Sequence, residues 1–138
     1  MFINNFSLSS QSSKSPKHFQ YTFVVFLQVL YEVGQIVKVN QITGVIVAWD
    51  EECKAPPEYF KTKPKEYQTD IPHYLVLMDS IEAGVVYDQY RYLAQNEIEP
   101  ARSPKRVTSV TSIDYFENYQ NGRYQLRPWL QEIYPRGW

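Results

Sequence analysis

The segment from Val33 to Lys54 constrains the fold of this chain more than any other. Two apolar runs, Gly34 to Val39 and Gly44 to Trp49, are joined by a short polar link, Asn40 to Thr43. The second run is β-branched at Val45, Ile46 and Val47, so the pair predicts an opening β-hairpin. Both runs are nearly continuous in apolar residues, and alternation therefore does not say which side chains face inward.

The rest of the chain extends this pattern. Tyr31 to Val39 reads as the first strand and Gly44 to Trp49 as the second. Asp50 to Gln68 is polar, with Pro56, Pro57 and Pro64 and four lysines; Ala55 to Phe60 has room for one helical turn, with proline early. Pro72 to Asp79 predicts a strand, Val85 to Leu93 its antiparallel partner across a turn at Glu82 to Gly84, and Glu97 to Glu99 a short closing strand. The fold expected is mainly β, a small SH3-like barrel of about five strands, whose closure would remove exposed edges. Pro100 to Thr111 reads as a linker. Ile113 to Tyr119 predicts a short helix capped near Ser112 or Asp114. Asn121-Gly122 predicts a turn. Arg127 to Tyr134 predicts a second short helix starting at Pro128 and stopped by Pro135 and Gly137. The expected organisation is a leader over residues 1–30, a barrel over 31–100, and a linker with a helical extension over 101–138.

Residues 1–20 are polar and serine-rich, as in a disordered leader. The apolar run Tyr21 to Leu30 is too short to span a bilayer. It has no small-residue cleavage site and no arginine upstream, so an extra edge strand or a segment foreign to the domain explains it better than a targeting signal. Net charge is -1, unevenly spread: beyond Lys14 and Lys17, twelve Lys and Arg face all fifteen acids, a balance of -3 over residues 31–138. A domain held to nucleic acid by phosphate contacts alone is expected to be basic, so any such contact must be a local patch. Twelve tyrosines make the chain rich in rings with polar tips, suited both to a core and to a recognition surface.

No catalytic pattern stands out. The sequence has no Gly-rich phosphate loop, no HExxH and no G-x-S-x-G. Cys53 is the only cysteine, which excludes an intrachain disulfide and points to an intracellular, reducing setting. A Cys53 nucleophile would need His18 or His73 as base, and neither is placed for it by sequence. Asp50, Glu51 and Glu52 read as a solvated acidic turn, and Asp79 and Asp88 as turn residues flanking strands. The expectation is a non-enzyme with no metal or cofactor and no small-molecule substrate.

Two basic clusters remain. Lys61 and Lys63 alternate in the long loop beside Tyr59, Phe60 and Tyr67, with Lys54 upstream; lysines interleaved with aromatics suit a strand-tracking or protein-recognition surface. Arg102, Lys105 and Arg106 run uninterrupted by acid in the linker. Trp49, between a strand and a charged turn, reads as a core or rim anchor, or as an exposed recognition residue. For a DNA partner, Lys38, Arg91, Arg102, Lys105 and Arg106 are the expected phosphate contacts.

The segments VGQIVKV, GVIVAWDEECKAP, PHYLVLMD and RYLAQNEIEP resemble the YccV-like, or hemimethylated-DNA-binding, family, which includes heat shock protein HspQ. The tail from Tyr115-Phe116 to Ile133-Tyr134-Pro135 is similar to the eukaryotic members, most of all the C-terminal domain of F-box only protein twenty-one. The resemblance implies DNA binding. Its adaptor members imply an alternative, recognition of a protein partner in a proteolysis pathway. The chain departs from that pattern at Lys38 to Thr43, where relatives carry a longer basic-aromatic link.

Overall fold

A computed structural model describes residues 29–135. The expectations for residues 1–28 and for Gly137 lie outside them. The opening hairpin is present: β1 (Ile36–Val39) pairs antiparallel with β2 (Ile42–Asp50). Its turn is tighter than the four-residue link suggested. Asn40 and Gln41 alone make it, both at positive φ (49° and 70°), the geometry that matches the twist of a two-residue hairpin. At Gly44, a Cβ would lie 2.5 Å from Val76 Cγ1, so β2 and its neighbour approach at a distance only glycine permits.

β3 (His73–Met78) pairs with β2, β4 (Tyr90–Ala94) with β3, and the two-residue β5 (Glu99–Pro100) with β1. The result is one five-stranded antiparallel sheet in the order β4-β3-β2-β1-β5. Pro100 sits in an edge strand, where its missing N–H costs no ladder bond. A closed barrel would require β4 to meet β5, and no such pairing occurs among the described residues. Between Ile46 and Ala48, β2 carries a bulge: it advances two residues while β3 advances one.

A short helix α1 (Ser80–Ala83) follows β3, capped by Asp79, which accepts from the Glu82 amide, and ended by Gly84 at φ 71°. The expected long strand from Val85 begins only at Tyr90. The long loop contains one 3-10 turn, Pro57–Thr62. A second 3-10 turn over Gln95–Glu97 displaces the expected closing strand to Glu99.

The C-terminal segment corrects one expectation. The helix α2 covers only Ser112–Tyr115, and Phe116–Gln120 is instead β6, paired with β7 (Arg123–Leu126) across Asn121-Gly122. α3 (Pro128–Ile133) forms as expected, with proline in its first turn. This segment packs into the same core as the sheet. Val107, Phe116, Tyr124, Leu126, Leu130 and Tyr134 are buried against Trp49, Ile46 and their neighbours, and the Tyr124 amide donates to the Gly34 carbonyl.

Among the described residues, five buried tyrosines tie distant segments to the sheet through their hydroxyls. Tyr31 donates to the Ile98 carbonyl, Tyr74 accepts from the Leu30 amide, and Tyr92 donates to Asp50. Tyr124 accepts from the Val107 amide, and Tyr134 bonds Trp49. Each ring adds apolar burial while its tip satisfies a polar group that packing would otherwise strand.

Candidate nucleic-acid interface

The expected site residues divide into groups. Along β4, successive side chains alternate between faces. Arg91 and Leu93 share one face and line a cleft of roughly 470 Å³ together with Lys38, the Asn40-Gln41 turn, Asn96, Glu97 and Glu99. A shallower groove continues from Lys38 and Gln41 past Glu99 to Arg102 and Ser103. Thus Arg91 on the cleft and Arg102 on the groove, far apart in sequence, lie on adjoining depressions that share Lys38, Gln41 and Glu99. Among the described residues, neither Arg91 nor Arg102 makes an ion pair.

Lys38 is engaged within the fold. Its ammonium donates to Thr43 Oγ1 at 3.0 Å and lies 3.9 Å from Glu82 Oε1. Glu82 also pairs with Lys105 and accepts from Thr43 through both its amide and its hydroxyl. Burial pushes the Glu82 carboxyl up, but Lys105, the Thr43 donors and Lys38 together outweigh it and hold the pKa down, at about 2. One carboxylate therefore holds two of the expected phosphate contacts. Arg106 lies over the Tyr119 ring, 5.2 Å from its centroid.

The other face of β4 carries the loop aromatics. Tyr59 donates to the Tyr92 carbonyl on the outer edge of β4, and its ring meets those of Tyr67 and Tyr92. Tyr67 is bonded to His73 Nε2 at 2.8 Å. His73 Nδ1 lies 2.8 Å from the Ile71 carbonyl, which can only accept, so Nδ1 carries the proton and Nε2 accepts from Tyr67. Lys63 sits over both tyrosine rings, at 4.7 and 5.0 Å. Tyr59 and Tyr67 thus dock the loop on the sheet instead of presenting themselves outward. Phe60 is half-buried against Tyr59, Lys54 pairs with Glu52 at 3.3 Å, and Lys61 is exposed.

Two expectations change. Trp49 is buried, packed on Tyr134 at 5.5 Å, and the core alternative holds; it is not a surface contact. Asp50 is not part of a solvated turn. The bulge turns its side chain to the Val45 face, where it is buried and accepts from Tyr92 at 2.7 Å. Burial pushes the Cys53 thiol up against the lowering pull of the Ala55 backbone, and both nitrogens of His73 are engaged, so the two do not form a nucleophile and base. Among the described residues no cluster of three or more His, Cys, Asp or Glu could hold a metal ion, and no helix is long and apolar enough to cross a membrane.

Sequence reasoning did not single out Asn40, Gln41 and Asn96, which also line the cleft. Asn40 and Gln41 are exposed there, whereas the Asn96 amide donates to Gln68 Oε1 at 3.3 Å. Gln41 holds a positive φ that favours glycine, which places a long polar side chain where the backbone alone would not ask for one.

A family described as hemimethylated DNA-binding protein YccV like matches residues 29–123. The chain belongs to the YccV-like family. The YccV-like segment takes in the whole five-stranded sheet and β6, and ends at the first residue of β7. Neither the curated proteins nor the solved structures compared with it give a match.

Proposed function

We propose that this chain is a DNA-binding module that meets duplex DNA through the cleft between the β1–β2 turn and β4. In this reading the strands wrap as an SH3-like barrel with the cleft as its seam. Arg91 and Arg102 contact phosphates, and Asn40, Gln41 and Asn96 meet base edges. The observation that carries it is the placement of two cations without ion pairs and three amides along the cleft and its adjoining groove in a chain of the YccV-like family. Glu97 and Glu99 in the same lining keep affinity modest and disfavour tight nonspecific binding. DNA as the partner places the module inside the cell.

The test is a fluorescence-anisotropy titration with matched unmethylated, hemimethylated and fully methylated duplexes across a salt series. Two phosphate contacts contribute a slope of roughly 1.8 in log K against log salt, which amounts to about 30-fold at 0.15 M if electrostatic binding vanishes near 1 M. Arg91→Gln with Arg102→Gln should remove that much. Unchanged binding in the double variant would rule out the cleft, and loss in Lys61→Glu with Lys63→Glu would move the contact to the long loop. No duplex binding at low salt would favour the alternative, an adaptor for a protein of a proteolysis pathway.

A further inference from the structure

Opposite chemistry gathers around α1, α2 and α3. Large apolar side chains stand exposed on three segments: Ile81, Val86 and Tyr87 before β4, Val110 and Ile113 around α2, and Trp129 on α3. Val86 is fully exposed and Trp129 is 48% exposed, an unusual load for so short a stretch of surface.

The segments are fixed to one another. The Ile81 amide donates to Thr108 Oγ1, and the Thr111 amide donates to Asp88 Oδ2 at 2.8 Å. Tyr90 and Tyr115 join through their hydroxyls at 2.9 Å, Tyr115 packs at a tilt against Trp129 at 5.9 Å, and the Trp129 indole donates to the Asp114 carbonyl at 3.1 Å. Beneath them Asp79 holds Thr108 by both amide and hydroxyl. The side chains are therefore exposed on a braced frame. Little ordering entropy would be lost when a partner binds.

Charge selects the partner. Residues 80–90, 108–115 and 128–135 contain no lysine or arginine, but they hold Glu82, Asp88, Asp114 and Glu132. Glu82 is neutralised by Lys105 and Lys38, whereas Asp114 and Glu132 are exposed. Arg127, at the border, is turned to the Ile113 carbonyl. The face is apolar and acidic. DNA is repelled from it. A second copy packed face to face would set like carboxylates together, since a two-fold interface repeats the same patch on both sides.

We infer that this face docks a segment of a partner protein that presents apolar anchors between basic residues. The cleft is not involved, so the inference stands independently of DNA binding.

The probe is an array of 12-residue synthetic peptides with Leu and Trp anchors in varied spacing, flanked by Lys and Arg, by Ser, or by Glu, with the best binders measured by anisotropy against the full chain. The expected result is that Lys- and Arg-flanked peptides bind at least tenfold more tightly than their Glu-flanked counterparts. Val86→Asp, at a side chain free of packing, should weaken them at least tenfold, as should Trp129→Ala. Arg91→Gln should not. Binding blind to flanking charge, no binder in the array, or no effect of Val86→Asp would overturn the inference. So would a concentration-dependent dimer in sedimentation that Val86→Asp abolishes.

Discussion

Tyr134→Phe isolates what one hydroxyl contributes to holding α3 on the sheet. Past β1, the outward backbone groups of β2 have no strand to meet. At Trp49 the Tyr134 hydroxyl takes that place: it accepts from the Trp49 amide at 3.3 Å and donates to the Trp49 carbonyl at 3.2 Å. Both groups turn away from β3, so Trp49 and Tyr74 form a pair without ladder bonds. Burial pushes the Tyr134 hydroxyl up, and it stays neutral at any ordinary pH. Phenylalanine keeps the ring and its packing on Trp49 and removes both bonds. At about 1 kcal/mol net for each buried bond, the loss should be about 2 kcal/mol. Tyr134→Ala also removes the ring and should cost about 3–5 kcal/mol. The assay is urea unfolding followed by tryptophan fluorescence, with the slope of the transition compared among variants. A loss below about 0.5 kcal/mol in Tyr134→Phe, at unchanged slope, would refute the reasoning and mean that α3 is held by apolar packing alone.

Further outcomes follow from other residues. Burial first, with Lys63 adding to it, outweighs Ile71 and Glu97 and lowers the His73 pKa. The unfolded chain therefore binds the proton more readily, and stability should be full above the ordinary histidine range and fall as pH drops through 6.5 toward the folded value; NMR titration of the His73 ring at or above 6.5 would contradict this. Glu82, with its pKa held at about 2, contributes stability present above 4.5 and lost as pH falls toward that value. Glu82→Gln should flatten that acid limb in urea titrations and, by releasing Lys38 and Lys105, tighten DNA binding in the anisotropy assay. Gln41→Gly, at φ 70°, should stabilise the hairpin by about 0.5–1 kcal/mol while weakening discrimination among duplexes. Gly44→Ala should cost about 1–3 kcal/mol in the urea midpoint, because its methyl meets Val76.

The hairpins were legible where the sequence is punctuated. Asn121-Gly122 carries a hairpin signal stronger than the helical spacing of Ile113 and Phe116, and the alternation over Arg123 to Leu126 agrees with it. The helix expected over Ile113 to Tyr119 gave that local signal too little weight. Trp49 and Asp50 were harder. Without the bulge, Ile46, Ala48 and Asp50 would share a face; the extra residue Val47 moves Asp50 across the sheet to Tyr92 and Trp49 to the side of Tyr74. No composition rule reports one inserted residue in a continuous apolar run. The basic clusters were visible as residues but not as partners. Sequence does not say that Glu82 takes Lys38 and Lys105, or that Lys63 lies on Tyr59 and Tyr67, while Arg91 and Arg102 make no ion pair among the described residues.

The docked loop has a consequence for solubility. β4 ends the sheet, and its outward backbone groups are where another chain's strand could add. The Tyr59 hydroxyl occupies the Tyr92 carbonyl and the Glu97 carboxylate occupies the Ala94 amide, so the row is interrupted at two successive outward positions. Lys63 and Tyr67 of the same loop pack against Tyr59 and His73 beside this edge and hold Tyr59 in place. A protease cut between Pro64 and Gln68 would spare every strand of the sheet yet untie Tyr67 from the Tyr59 segment and loosen this guard. The expected product is a folded protein that aggregates edge to edge.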